Sequence, residues 1–143
     1  MLRRKGREIA LQVLYQIEVT KINPTLALET YKKYLNIEEE KAFAFGEELV
    51  KGVLTHKNLI DSYIQKYSPD WPIERMNLTD KNILRLAIYE FFYRPEIPPI
   101  VSINEAVELA KIYGTDDSPA FVNGILDSIY KNELIPKEKS YFK

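Results

Sequence analysis

The chain has 143 residues, 45% of them hydrophobic and 29% charged, with a formal net charge of −1. A chain of this size and balance forms one globular domain that buries roughly 68–70% of its unfolded surface. It contains no cysteine, which excludes disulfides, thiolate metal sites and cysteine nucleophiles.

No apolar run approaches the roughly 18 residues of a membrane span, and no continuous apolar stretch follows the charged N-terminus, so the expected location is cytoplasmic. The charge is unevenly placed. Residues 1–7 hold Arg3, Arg4, Lys5 and Arg7 and no acid, leaving 16 basic against 21 acidic residues elsewhere, a net of −5. A local cationic patch on an acidic chain points to a discrete anion-binding site rather than a uniformly basic surface.

The first predicted helix runs from about Arg3 to Val19. Ile9, Ala10, Val13, Leu14 and Ile17 recur at spacings of three and four and form its apolar stripe. Arg4, Glu8, Leu11 and Tyr15 fall on the opposite side, which pairs a cation with an aromatic ring. Phosphate contact and base stacking by single-stranded nucleic acid need those two groups. A solvated basic tail and a surface tyrosine are the plainer account of the same pattern. Gly6 costs the helix about 1 kcal/mol against alanine and predicts fraying at the basic end.

Asn23-Pro24 reads as a cap and first-turn proline, opening a second helix with Leu26, Tyr31, Tyr34 and Leu35 as apolar positions. A third begins near Glu38, carries Phe43, Leu49, Val50, Val53 and Leu54, and restarts at Thr55 toward Ile60, Ile64 and Tyr67. Ser68-Pro69-Asp70-Trp71-Pro72 breaks it.

Thr79 is the predicted cap of a helix from Asp80 to Phe92 that is apolar nearly all round. Such a helix is either central or keeps one face for a partner; the central reading is preferred, with Arg85 and Tyr93 reaching a rim. After the extended Arg94–Pro99 connection, Ser102 and Glu105 have the spacing of a capping box. Ile103, Ala106, Val107 and Ala110 form a buried face behind them, and Gly114 is a stop. Ser118 and Pro119 start the last helix, with Val122, Ile125, Leu126 and Ile129 as its core stripe and Phe121 at the edge. The polar tail from Asn132 is expected to be loosely held. No convincing period-two alternation occurs, so the fold class is all-α, with six or seven helices.

No constellation nominates a reaction or a cofactor. His56 is the only histidine and sits in a polar helical context. Glu38, Glu39 and Glu40 point different ways around a helix, and the adjacent pair Asp116 and Asp117 lacks the ligand number of a cation site. The five glycines are scattered, and no phosphate loop is formed. The expectation is a binding protein, not an enzyme.

The ordered set RRKGREIALQVLY (3–15), NILRLAIYE (82–90), IPPIVSINEAVELAKIYG (97–114) and DSPAFVNGILD (117–127) resembles the bacterial NusB family over nearly the whole chain. The resemblance implies a single all-helical domain of two packed subdomains, here 1–67 and 68–131, followed by a loose tail at 132–143. It also implies transcription antitermination on ribosomal RNA operons. The implied partners are single-stranded boxA RNA, the ribosomal protein NusE and the antitermination complex on RNA polymerase.

Carried onto this chain, the family's RNA surface falls on Arg3, Arg4, Lys5, Arg7 and Tyr15 of the first helix and on Asp117, Ser118 and Phe121 of the later loop. The NusE contact falls on Asp80, with Arg85 and Tyr89 as further candidates. Cations fix the register of the backbone. Tyr15 or Phe121 can stack on a base, and Asp117 can accept from a base edge. Structural roles compete: Phe121 as core, Asp117 as a helix start, Asn123 as a buried anchor. Ala120 departs from the basic residue that many relatives carry there.

An RNA cytosine methyltransferase with a NusB-like N-terminal domain is an alternative, but it needs a glycine-rich cofactor domain for which this chain is too short. A helical adaptor that binds only protein is another. With about three phosphate contacts the salt slope would be near −2, a loss of roughly 20-fold between 50 and 200 mM salt. Weak binding by the chain alone, strengthened by NusE, is therefore expected.

Overall fold

The computed structural model describes residues 2–137, and within them every regular element is helical. In chain order these are α1 (Leu2–Thr20), α2 (Pro24–Lys32), α3 (Ile37–Thr55), α4 (Lys57–Lys66), a 3-10 turn (Ile73–Arg75), α5 (Leu78–Tyr93), α6 (Pro99–Tyr113), α7 (Ser118–Ile129) and a π turn (Tyr130–Leu134). The chain divides into two compact units, the first ending at His56 and the second starting at Lys57. The sequence places the division at 67/68; the contacts place it at the predicted restart near Thr55.

In the first unit α1 packs along α3, with α2 against both. Ile9, Ala10, Val13 and Leu14 are buried, as their spacing predicts. Leu11 is buried as well, although its spacing assigns it to the outer side, and α2 also packs on α1. The Tyr31 hydroxyl on α2 donates to Gln12 Oε1 of α1 at 2.7 Å.

Gly6 does not mark a fraying end. It is buried, and a Cβ there would lie 2.9 Å from the Ala42 carbonyl oxygen and 2.8 Å from Phe45 Cδ2. A Cβ at Gly46 would lie 2.8 Å from the Gly6 carbonyl oxygen. The two glycines let the α1 and α3 backbones meet. In α2 the phase differs from expectation: Ala27 and Leu28 are buried, while Leu26 and Tyr34 are exposed. The Asn23 side chain, which accepts from Thr25 N and Leu26 N, fixes where the helix starts. Tyr34 lies beyond its end at Lys32.

In the second unit α5 is central, and every residue from Asp80 to Phe91 is buried. Its cap is Asn77 rather than Thr79: Asn77 Oδ1 accepts from the Asp80 N–H at 2.7 Å. Arg85 does not reach a rim. Its guanidinium donates through Nε to Asp61 Oδ1 (2.8 Å) and through a terminal nitrogen to Asp61 Oδ2 (2.9 Å), tying α5 to α4. Tyr63 and Phe92 stack between the same helices at 4.8 Å.

Ser102 is not a cap either. α6 starts at Pro99, so Ser102 lies inside it, buried, with its hydroxyl donating to Glu90 Oε1 at 2.8 Å. α7 buries Val122, Ile125, Leu126 and Ile129 as predicted.

The expected loose tail from Asn132 is held instead as far as the described residues run; positions 138–143 lie outside them. Leu134 is buried, and Glu133 accepts from Lys66 Nζ at 2.8 Å and from the Tyr67 hydroxyl. The Lys66 hydrogen bond first, then that of Tyr67, hold the Glu133 carboxyl below its ordinary 4.5. Burial first, then the bond to Glu133, push the Tyr67 hydroxyl above its ordinary 10.0.

A depressed acid stabilises above its unfolded value and loses that contribution as pH falls through its folded one. A raised tyrosine stabilises below its unfolded value and loses it as pH rises through its folded one. The π turn should therefore be most protected between those limits. The protection of amides 130–134, taken relative to the intrinsic exchange rate at each pH, is expected to fall on acidification below 4.5, and Glu133→Gln should abolish that acid dependence. An unchanged acid limb in the variant would remove Glu133 from the account.

Candidate nucleic-acid interface

The basic start of α1 belongs to the first unit, and its cations are not equivalent. Arg3 and Arg4 are exposed. Lys5 is half-buried, with its ammonium 3.4 Å from Glu39 Oε2 and 3.9 Å from Glu8 Oε2. The Glu38–Glu40 run is thus more than a solvated helix start: Asn36 caps α3 by accepting from Glu39 N–H at 2.8 Å, which sets the Glu39 carboxylate beside Lys5. Burial opposes the Lys5 charge, but the Glu39 bond and field outweigh it and raise the ammonium above its ordinary 10.5.

Arg7 is 4% exposed, its guanidinium 5.5 Å from the Phe45 ring centroid. It does not present a free phosphate contact, because α3 covers it. Tyr15, 45% exposed, offers its ring on the outer side of α1. Beside these residues runs a groove of about 650 Å³ whose walls include Leu2, Lys5, Ile37, Glu39 and Ala42.

In the second unit the α6–α7 loop is built around Ser118. Its Oγ accepts from the Thr115 N–H at 2.9 Å, and it packs so tightly on Gly114 that a Cβ there would lie 2.5 Å from it. Ser118 is fully buried; it shapes the loop and does not face a ligand. Asp117 remains exposed at the helix start, and its side chain makes no capping hydrogen bond to α7. Phe121 is half-buried, while Ala120 and Asn123 are exposed, so Asn123 is not a buried anchor.

Asp117, Phe121 and Asp80 do come together. With Trp71, Arg75 and Thr115 they line a cavity of about 430 Å³. Asp80 is 7% exposed; one of its carboxylate oxygens accepts from Asn77 Nδ2 at 3.1 Å, and the other is buried without a hydrogen-bond partner among the described residues. An acceptor left so costs free energy and marks a position not tuned for stability alone.

Arg85 and Tyr89 do not join this cavity. Both are buried, Arg85 on Asp61 and Tyr89 stacked on Tyr93 at 5.3 Å.

Trp71 and Arg75 were hidden in sequence because they sit in what reads only as a proline-rich break. The Gln65 side chain on α4 organises that break. Its Nε2 donates to the carbonyls of Ser68 (3.0 Å) and Trp71 (3.2 Å), and its Oε1 accepts from the Ile73 N–H (2.9 Å). The indole is thereby held half-exposed, at 52%, which leaves part of its ring surface open to stacking. A lone tryptophan between two prolines was the available signal. The cavity can stack a base on Trp71 or Phe121, accept from a base edge through Asp117 and meet a phosphate with Arg75.

Among the described residues, no three or more His, Cys, Asp or Glu side chains are grouped to hold a metal ion, and no helix is long and apolar enough to cross a membrane.

Residues 4–131 match the model of the NusB family. The chain is 48% identical over 134 residues to the transcription antitermination protein NusB of Geotalea uraniireducens, covering 89% of this chain and 92% of that one. Its fold is similar to that of T. maritima NusB, with a TM-score of 0.81 and 37% identity over 97% of this chain and 96% of that one. It is also similar to a chain in a crystal structure of the antitermination factors NusB and NusE in complex with double-stranded RNA. There the TM-score is 0.78 at 29% identity, over 91% of this chain and 96% of that one.

Proposed function

The chain belongs to the NusB family, and on that premise we propose that it is a transcription antitermination factor that binds single-stranded, boxA-like RNA of ribosomal RNA operons together with NusE. It acts within the antitermination complex on RNA polymerase, in the cytoplasm, as a binding protein rather than an enzyme. The observation that carries this reading is the start of α1, where Arg3 and Arg4 are exposed on a chain that is otherwise acidic. The cavity walled by Trp71, Arg75, Asp117 and Phe121 supports it with the groups a single-stranded base needs.

Division of labour follows from exposure. Arg3 and Arg4 take phosphates, Lys5 joins them in competition with Glu39, and Tyr15 offers a stacking face. Asp117 and Phe121 supply base contacts in the second unit. Arg7 acts from beneath as a fixed charge, and Ser118 acts through the shape of its loop. For NusE, Asp80 is the candidate of the three that lines the cavity.

The test is an anisotropy titration of boxA-like and scrambled single-stranded RNA at 50 and 200 mM salt, with and without NusE. Two exposed arginines correspond to a salt slope of about −1.4. Arg3→Ala with Arg4→Ala should therefore flatten the slope by about that amount and lower affinity at the lower salt roughly tenfold. Equal binding of both RNAs in the presence of NusE would sink sequence-specific recognition. An unaltered affinity in the double variant would remove α1 from the RNA surface, leaving the protein-only adaptor.

A further inference from the structure

Phe45, on α3, is absent from every sequence pattern that points to RNA, yet it is where the basic end of α1 is anchored. Its ring lies against Gly6, where a Cβ would come within 2.8 Å of Phe45 Cδ2 and 3.2 Å of its Cβ. Only a residue without a side chain leaves that seat open. Arg3 and Arg7 are one helical turn apart on α1 and therefore on one side of it. Their guanidinium carbons stand 5.8 Å and 5.5 Å from the Phe45 ring centroid, both within the range of a cation–π contact. One ring thus gathers a buried cation, Arg7, and an exposed one, Arg3.

We propose that Phe45 is a positioning residue of the RNA surface: seated against Gly6, its ring holds the Arg3 guanidinium in place for phosphate over the fixed charge of Arg7. This inference rests on the reading of α1 as an RNA-binding helix. Two effects follow from the geometry. An arginine on a free helix end loses rotamer freedom when it meets a phosphate, and a side chain already held by a ring loses less. Two guanidinium groups drawn to one ring also concentrate positive potential at one point, where the negative face of the ring offsets part of their mutual repulsion. The flat ring matters, then, and not merely apolar bulk at this place in the α1–α3 contact.

The experiment replaces Phe45 with 4-fluoro- and trifluoro-phenylalanine, which keep the shape of the ring while weakening its quadrupole, and with Leu and Tyr. Affinity for boxA-like RNA is measured with NusE present, in the wild-type and Arg3→Ala backgrounds. Phe45→Leu should weaken binding about fivefold, the size of a partly desolvated cation–π contact, Phe45→Tyr should restore it, and the fluorinated rings should give a graded loss.

In Arg3→Ala the effect of the ring substitutions should shrink, since their target is gone. The Arg3 and Arg7 side-chain protons should carry upfield ring-current shifts in wild type that Phe45→Leu removes. Should Phe45→Leu fail to fold, the shape-preserving fluorinated series decides alone. A wild-type protein that binds no RNA overturns the parent reading and this one with it. A wild-type protein that binds, with affinity indifferent to fluorination or with equal ring effects in both backgrounds, overturns the role of Phe45 only.

Discussion

Asp61→Ala is expected to lower stability by about 3 kcal/mol, or roughly 10 °C in Tm for a chain of this size, while Arg85→Met costs distinctly less. The asymmetry comes from what each variant leaves behind. The Arg85 side chain is 6% exposed and that of Asp61 is 23% exposed. Removing Asp61 takes both bonds of the fork away from a guanidinium inside the second unit that also donates to Asn82 Oδ1 at 3.1 Å. Removing Arg85 leaves a carboxylate that water already reaches, and methionine refills the space with apolar volume. Urea denaturation of both variants at neutral pH decides it, and Asp61→Ala at least as stable as Arg85→Met would refute the account. The consequence reaches function, because the same helix carries Asn77 and Asp80 into the wall of the cavity.

The helices themselves were legible because period 3.6 in apolar residues reports burial directly, and α1, α3, α4 and α7 show it. Their ends were less so wherever two good caps compete. Asn77 and Thr79 are both fit to cap α5, and what decides is that Asn77 reaches the Asp80 N–H and makes a second bond with its side chain. Ser102 looked like a cap because its intended use was invisible: Glu90, its acceptor, lies on the preceding helix. Pro99 at the first position of α6 supplies the start that the serine seemed to mark.

The candidate site divides along the same line. Arg3, Arg4, Tyr15 and Asp117 were readable, since exposure at a helix end or outer face follows from local spacing. Arg7, Ser118, Arg85 and Tyr89 were not, because each is covered or claimed by something another part of the chain supplies: Phe45 for Arg7, Gly114 and Thr115 for Ser118, Asp61 for Arg85, the packing around α5 for Tyr89. Glu39 shows the converse. A run of three glutamates reads as solvent-facing, and only the crossing of α1 and α3 turns one of them into a competitor for Lys5.

That contact of α1 with α3 is also where added side-chain volume should do the most damage. Gly46→Val is expected to cost about 3 kcal/mol, at the upper end of overpacking, and to lower Tm by about 10 °C. A Cβ at Gly46 meets the Gly6 carbonyl oxygen at 2.8 Å and Ile9 Cγ2 at 3.2 Å. The first of these is backbone, so no rotamer change relieves it and α1 must move away from α3. Such a shift lifts Gly6 off Phe45 and loosens Arg3 and Arg7 from the ring. Affinity for RNA should then fall even at temperatures where the variant is still fully folded, which thermal melts and anisotropy on the same samples will show. Gly46→Ala gives the smaller version of both effects. A valine variant that melts with wild type would mean that the helices do not meet at this pair of glycines. One that melts early but binds RNA normally would separate the packing of α1 from its hold on phosphate.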